Sequence, residues 1–269
     1  MTLNYHHAIL RQFPQSYAGL YAPRGIAIDL ALAAKQHADY ASALREAGLQ
    51  VSILPPDEAY PDSVFVEDTA VLWGARALIG RLGPTSAHAE DTGRASAYAK
   101  GFGGRAGEEQ GVAAVLSRTH ETMHLPDGAT LEGGDVFSTE QATFVGLSVR
   151  TNQAGVDALR RFMPDRKVIA VPVEKCFHLK SAVTNLGDGA LALDPKLISP
   201  EFFKGHDIVE VEPANVIRVG QHLLMLDGYP QAERKLASFA QARGLRVRRV
   251  PLTEFEKGDG SITCLSLLW

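Results

Sequence analysis

Residues 131–146 read LEGGDVFSTEQATFVG, and the order of residue types in that stretch decides the fold. A carboxylate leads and two glycines follow. An apolar strand then runs into a short polar turn and returns as a second apolar strand, the pattern of a β-hairpin. The plan recurs in VEDTAVLWGARALIG (66–80), HLKSAVTNLGDGALAL (178–193) and ANVIRVGQHLLMLDG (214–228). CLSLLW (264–269) repeats its first half. The leading residues are Glu67 and Asp68, then Glu132, His178, Asn215 and Cys264. Degenerate units spaced by roughly 50 residues, none able to bury its apolar face alone, predict a closed array. Five units predict an α/β ring of five blades. The last unit lacks a second strand, which HHAILRQF (6–13) is expected to supply, fastening the ring. Such a ring has no linker to cut, so residues 1–269 are expected to form one domain.

Between the hairpins lie helix signals. KQHADYASALREAGL (35–49), TNQAGVDALRRFM (151–163) and QAERKLASFAQARGL (231–245) carry apolar residues at near-helical spacing. Gly48, Pro164 and Gly244 mark their ends. The Ala/Gly/Arg-rich stretch from Ala87 to Arg118 is expected to be partly helical.

Composition narrows the function. Hydrophobic residues are 45% and charged ones 22%, ordinary soluble usage, with a formal net charge of -4. No basic stripe with interleaved aromatics is present, which argues against nucleic acid as a partner. No apolar run reaches the roughly 18 residues of a membrane span. MTLNYHHAILRQFPQ lacks the parts of a signal peptide. Two cysteines without a CxxC pair fit reduced thiols in a cytoplasmic protein. His6 and His7 would point to opposite faces of a strand, so no metal is expected there.

In a ring, residues at one register of each unit converge on one central channel. Asp68, Glu132, His178 and Cys264 would therefore meet. A thiolate is a nucleophile, and an imidazole can deliver a proton and later withdraw one. Two carboxylates in one pocket repel unless a cation lies between them. With no metal motif, that cation is expected to be the substrate. A planar guanidinium suits two carboxylates, leaving its central carbon open to Cys264. Singly, each of these residues has an ordinary structural reading; their shared register is what favours chemistry. Gly258, Gly260 and Ser261, just before Cys264, would give a flat ligand a close backbone wall.

The motifs LPPDEAYPDSVFVED (54–68), LEGGDV (131–136), SVRTN (148–152), FHLK (177–180) and DGSITCLSL (259–267) resemble those of the dimethylarginine dimethylaminohydrolases. That family belongs to the guanidino-group-modifying superfamily, whose fold is the pentein α/β propeller. The resemblance implies hydrolysis of N-methylated arginines to citrulline and methylamine or dimethylamine, with no cofactor. It implies Cys264 as nucleophile, His178 as proton carrier, and Asp68 and Glu132 as guanidinium ligands. It places Asp62, Phe65 and Glu67 at the substrate and the backbone of Leu20 in a lid over it. It also gives Arg150 the substrate carboxylate, with a second arginine.

That second arginine is displaced. The family places it soon after the turn that RLGPTSAH (81–88) resembles, whereas GGRAGEE (103–109) resembles the missing stretch. Residues 85–104 are therefore read as largely an insertion. Arg105 takes the role, with Arg94 as the alternative. A deiminase-like or other guanidino hydrolase, and a catalytically silent propeller that binds a partner, remain competing readings. The expected partner is a small guanidino compound, with a homodimer left open. Cys176 is expected to be a structural thiol.

Overall fold

The structure is a computed structural model, and it describes residues 3, 5–22, 25–82 and 105–269. The expected insertion at 85–104, and Arg94 within it, lie outside the described residues.

The chain opens with β1 (His7–Arg11), a short helix α1 (Ser16–Tyr21), a long helix α2 (Leu30–Glu46) and β2 (Gln50–Leu54). β1 and β2 run parallel, His7 opposite Gln50 and Arg11 opposite Leu54. A parallel pair needs a long crossover, and α2 supplies it. The Asp29 carboxylate accepts from the Ala31 and Leu32 amides, so the helix begins at Leu30, earlier than periodicity predicts. Gly48, at φ +98°, ends it.

Each of four further units runs strand, antiparallel strand, crossover, and a third strand parallel to the second. The first is β3 (Ala70–Trp73), β4 (Arg76–Ile79) and β5 (Glu121–His124), with α3 (Glu109–Leu116) in the crossover. The second is β6 (Val136–Ser138), β7 (Thr143–Leu147), α4 (Gln153–Phe162) and β8 (Val168–Pro172). Asn152 caps α4 by accepting from the Gly155 amide. The third is introduced by a single helical turn, α5 (Leu179–Ala182), and continues as β9 (Val183–Gly187), β10 (Ala190–Leu193) and β11 (Asp207–Glu210). The fourth is β12 (Ile217–Val219), β13 (His222–Leu226), α6 (Pro230–Ala242) and β14 (Arg246–Val250).

A final turn of helix, α7 (Thr253–Glu256), leads to β15 (Leu267–Leu268). β15 pairs antiparallel with β1, Ala8 opposite Leu268 and Ile9 opposite Leu267. The fifth sheet, β15–β1–β2, therefore has the same three-strand order as the other four. The N-terminal strand fastens the ring as expected.

Apolar faces are buried between neighbouring units. Val71 and Leu78 of one sheet pack with Val136 and Val145 of the next and with Val156, Leu159 and Phe162 of α4. Truncating Phe162, fully buried there, would cost about 3–5 kcal/mol. The leading residues fall where the repeat predicts. Asp68 lies in a 3-10 turn before β3, Glu132 just ahead of a 3-10 turn before β6, and His178 at the N-cap of α5. Asn215 and Cys264 precede β12 and β15.

Candidate active site

The paired glycines of LEGGD let two units touch. A Cβ on Gly133 would lie 2.0 Å from the Glu67 carbonyl oxygen. One on Gly134 would lie 2.7 Å from Asp68 Oδ1 and 2.8 Å from His178 Cγ. Only glycine admits such an approach without moving backbone. The Gly134 amide then donates to Asp68 Oδ1 at 3.2 Å.

Around this contact the carboxylates and the imidazole converge. His178 Nε2 lies 2.7 Å from Glu132 Oε2 and 3.7 Å from Asp68 Oδ1. Burial alone would make the imidazole a weaker base. Asp68, the hydrogen bond to Glu132 and the nearby Asp135 outweigh it and raise His178 to about 9. His178 is therefore an imidazolium at neutral pH. Asp68 moves the other way, to about 2, because His178 and Arg105 overcome the effect of its burial.

Asp135 holds this arrangement in place. Its buried carboxylate accepts from Ser148 Oγ at 2.6 Å, Thr151 Oγ1 at 2.7 Å and the Leu179 amide at 2.9 Å. Leu179 follows His178, and Thr151 Oγ1 in turn accepts from the Glu132 amide. Burial, the largest influence, pushes Asp135 up to about 6.

Cys264 sits against the core cluster of Tyr40, Phe65 and Ile262 and keeps partial exposure. Its carbonyl accepts from the Glu67 amide at 3.2 Å, tying the fifth unit to the first. Burial, then the charges of Glu67 and Asp68, push the thiol up to about 12. At neutral pH the thiol is therefore protonated.

Arg105 reaches the cluster. Its Nη1 donates to Asp68 Oδ2 at 2.8 Å and lies 3.8 Å from Glu132 Oε2. Its Nε and Nη2 grip Glu108 at 2.9 and 2.7 Å. Burial pushes the Glu108 carboxyl up to about 7 against the pull of Arg105. Arg150 lies 3.6 Å from Glu132 Oε1, and its guanidinium stands 5.7 Å from the centre of the Phe177 ring. Its Nε and Nη1 are buried with no hydrogen-bond partner among the described residues.

Glu67 was expected to face the substrate. Its carboxylate instead binds Lys180 Nζ at 2.6 Å and Thr263 Oγ1 at 2.7 Å. There it lines a cavity of about 450 Å³ with Gly133, Lys180 and Thr263, away from Asp68, Glu132, His178 and Cys264, none of which lines that cavity. Successive residues on a tight 3-10 turn project in different directions, which separates Glu67 from Asp68. Asp62 Oδ1 accepts from the Tyr21 hydroxyl at 2.6 Å. The Phe65 ring presses on Gly260, where a Cβ would be 2.2 Å from Cε1. A Cβ on Gly258 would meet the Tyr17 and Tyr21 hydroxyls at 2.6 and 2.7 Å. The expected bare backbone wall is thus covered at both glycines by aromatic rings. Leu20 lies within α1. Cys176 Sγ donates to the His178 carbonyl at 3.2 Å, in keeping with a structural thiol.

Sequence reasoning missed Glu108, Asp135, Lys180 and Thr263. Only Glu108 carried a readable signal, the i, i+3 spacing to Arg105. Ligand atoms of Asp68, Glu132 and His178 lie within 4.8 Å of one another, close enough to surround a cation. Arg105 already supplies positive charge there. Together these groups can deliver a proton from His178 and a latent thiol to a planar cation.

Residues 24–187 match the family model described as N,N dimethylarginine dimethylhydrolase, eukaryotic. A dimethylarginine dimethylaminohydrolase of Pseudomonas aeruginosa is 30% identical over 89% of each chain. One from Streptomyces coelicolor is 36% identical, over 89% of this chain and 87% of its own. The solved structure of a cysteine-to-serine mutant of the Pseudomonas aeruginosa enzyme with citrulline superposes with a TM-score of 0.83 at 26% identity, covering 99% of this chain and 100% of that one.

Proposed function

The chain belongs to the dimethylarginine dimethylaminohydrolase family, and from that premise we propose that it hydrolyses N-methylated arginines to citrulline and dimethylamine or methylamine, with Cys264 as nucleophile. The observation that carries this is the imidazolium of His178 held 2.7 Å from Glu132 and 3.7 Å from Asp68, with a neutral, partly exposed thiol in the unit next to Asp68, tied to it through the Glu67 amide.

A guanidinium binding between Asp68 and Glu132 offsets the negative charges that keep Cys264 protonated, and the thiol loses its proton to solvent. The thiolate attacks the central carbon, forming a C–S bond. His178 gives its proton to the methylated nitrogen, and the C–N bond breaks as the neutral amine departs. A planar thiouronium remains on Cys264. Neutral His178 then takes a proton from water, which adds to the same carbon. Collapse breaks the C–S bond, the hydroxyl proton of the adduct passes to the departing sulfur, and the ureido product leaves with Cys264 again a neutral thiol. No step requires a metal or organic cofactor.

We assign the substrate carboxylate to Arg150, whose buried Nε and Nη1 make no hydrogen bond to a described residue, Nη1 facing Glu132 only at ion-pair distance. Arg105 assists it, keeping Glu108 while yielding Asp68 to the substrate. Asp62 and the backbone of Leu20 take the α-amino group, and Phe65 walls the pocket. Glu67 acts on Cys264 through its charge rather than on substrate. The five units act as one catalytic domain. Both cysteines are free thiols, which supports a reducing, cytoplasmic setting. Light scattering reads whether the protein is a monomer or a homodimer.

One assay tests the reading. The protein is incubated in turn with asymmetric dimethylarginine, arginine and agmatine, and ureido product, dimethylamine and ammonia are measured. Dimethylamine with little ammonia is expected. Ammonia from arginine would make the protein a deiminase. No product from any of the three, with Cys264 inert to alkylation, would leave a binding protein.

A further inference from the structure

Of the residues that lead the five units, Asn215 alone has no proton to trade and takes no part in the reaction proposed above. It is buried, and every polar atom of its side chain is engaged. Nδ2 donates to the Lys180 carbonyl at 2.8 Å and to Thr263 Oγ1 at 3.0 Å. Oδ1 accepts from the Thr263 amide at 3.0 Å. Thr263 Oγ1 passes its own proton to Glu67 Oε2 at 2.7 Å.

The partners matter more than their number. Lys180 lies in α5, the turn that His178 caps, and the Ser181 amide closes that turn onto the His178 carbonyl at 3.1 Å. Thr263 immediately precedes Cys264. An asparagine that merely capped a turn would bond its own segment. This one reaches across 35 residues to one segment and 48 to the other. It joins the backbone that carries the proton donor to the backbone that carries the nucleophile.

We propose that Asn215 is a positioning residue, whose amide fixes the placement of Cys264 relative to His178 through Thr263 and Lys180. This rests on the reaction proposed above, because it assigns those two residues to successive events on one carbon. Attack and proton delivery need both groups aligned on that carbon, and a misplacement of about 1 Å costs on the order of 100-fold in rate. Substrate binding, set by Asp68, Glu132 and Arg150, does not pass through Asn215.

The test is steady-state kinetics on asymmetric dimethylarginine for the wild type, Asn215→Ala, Thr263→Val and the double variant, with thermal melting of each. Asn215→Ala should lower kcat on the order of 100-fold while KM stays within about threefold. Thr263→Val removes the hydroxyl link and should lower kcat about tenfold, again without moving KM. The double variant should be no worse than Asn215→Ala alone, because both act on one link. A purely structural role would lower the melting temperature and leave kcat per folded molecule unchanged, which would overturn the proposal. So would fully multiplicative losses in the double variant. Should Asn215→Ala fail to fold, an unchanged kcat in Thr263→Val overturns it alone. A wild type that releases no dimethylamine refutes the reaction instead, so the two failures are distinct.

Discussion

Arg105 and Arg150 approach the two oxygens of Glu132 at 3.8 and 3.6 Å, and both are buried, yet their surroundings differ. Arg105 is saturated. Glu108 holds it in a two-bond fork, Asp68 takes Nη1, and the Phe65 carbonyl accepts from Nη2 at 3.4 Å. Arg150 keeps two buried N–H groups that no described residue accepts. A buried donor without a partner costs about 1–3 kcal/mol, more when charged. Arg105 is taken up by acceptors within the protein, whereas Arg150 has only the Glu132 carboxylate at 3.6 Å as a charge partner. Removing each should therefore harm different properties, the first stability and the second affinity.

The sharpest version of that comparison needs binding without turnover. Cys264→Ser should lower kcat by at least about 10⁴-fold, the scale of losing a nucleophile, while leaving the fold intact. Residual turnover near wild type would remove Cys264 from the mechanism. In that background, calorimetry with dimethylarginine reads the two arginines without chemistry.

Glu108→Ala should come next. It removes both acceptors of the fork and leaves the Arg105 charge half paired in the interior, and breaking such a buried pair costs about 3–5 kcal/mol. Chemical denaturation should find that loss. A Glu108→Ala protein as stable as wild type would show that the fork is not structural. Arg150→Met should do the reverse, raising KM or Kd by roughly 10- to 100-fold, the loss of charge-assisted hydrogen bonds, with little loss of stability. An unchanged KM would return the carboxylate to Arg105.

The smallest effect is in pH dependence. Glu108 is raised to about 7 and Asp135 to about 6, so each binds its proton more tightly folded than unfolded. Their contribution to stability is complete below the ordinary carboxyl range and is lost as pH rises through those values. His178, raised to about 9, contributes fully below the ordinary imidazole range and is lost as pH rises through 9. Asp68, depressed to about 2, contributes above the ordinary range and is lost as pH falls through 2. Melting temperature should therefore decline from about pH 5 to 9. Glu108→Gln should flatten the part below 7, and Arg150→Met should not. Activity should fall above about pH 9, where His178 has no proton for the leaving amine.

Much of this was legible because the repeat fixes register. A lead residue followed by a hairpin located Asp68, Glu132, His178 and Cys264, and the half-unit at the C-terminus called for β1. In four of the five sheets the third strand was hidden by its own polarity. QVSIL, ETMH, DIVE and RVRRV are edge strands with largely exposed side chains, and edge strands carry polar residues that blur an apolar signal. Within the site, residue type was readable and direction was not. Glu67 and Asp68 are neighbours of the same charge, yet a 3-10 turn sends one to Lys180 and the other to Arg105. The glycines before Cys264 announced a close approach without saying that Tyr17, Tyr21 and Phe65 make it.

The clasp of the ring has a mechanical consequence. β15 has two residues and is held by two residue pairs with β1, together with the Trp269 carbonyl accepting from the His6 and His7 amides. Opening costs least where the fewest backbone bonds must break. The Trp269 amide adds a bond to the His7 carbonyl at 3.2 Å, and tension that parted this seam should free the segment bearing Cys264. Parting the clasp should displace Cys264 while the other four sheets keep their pairing.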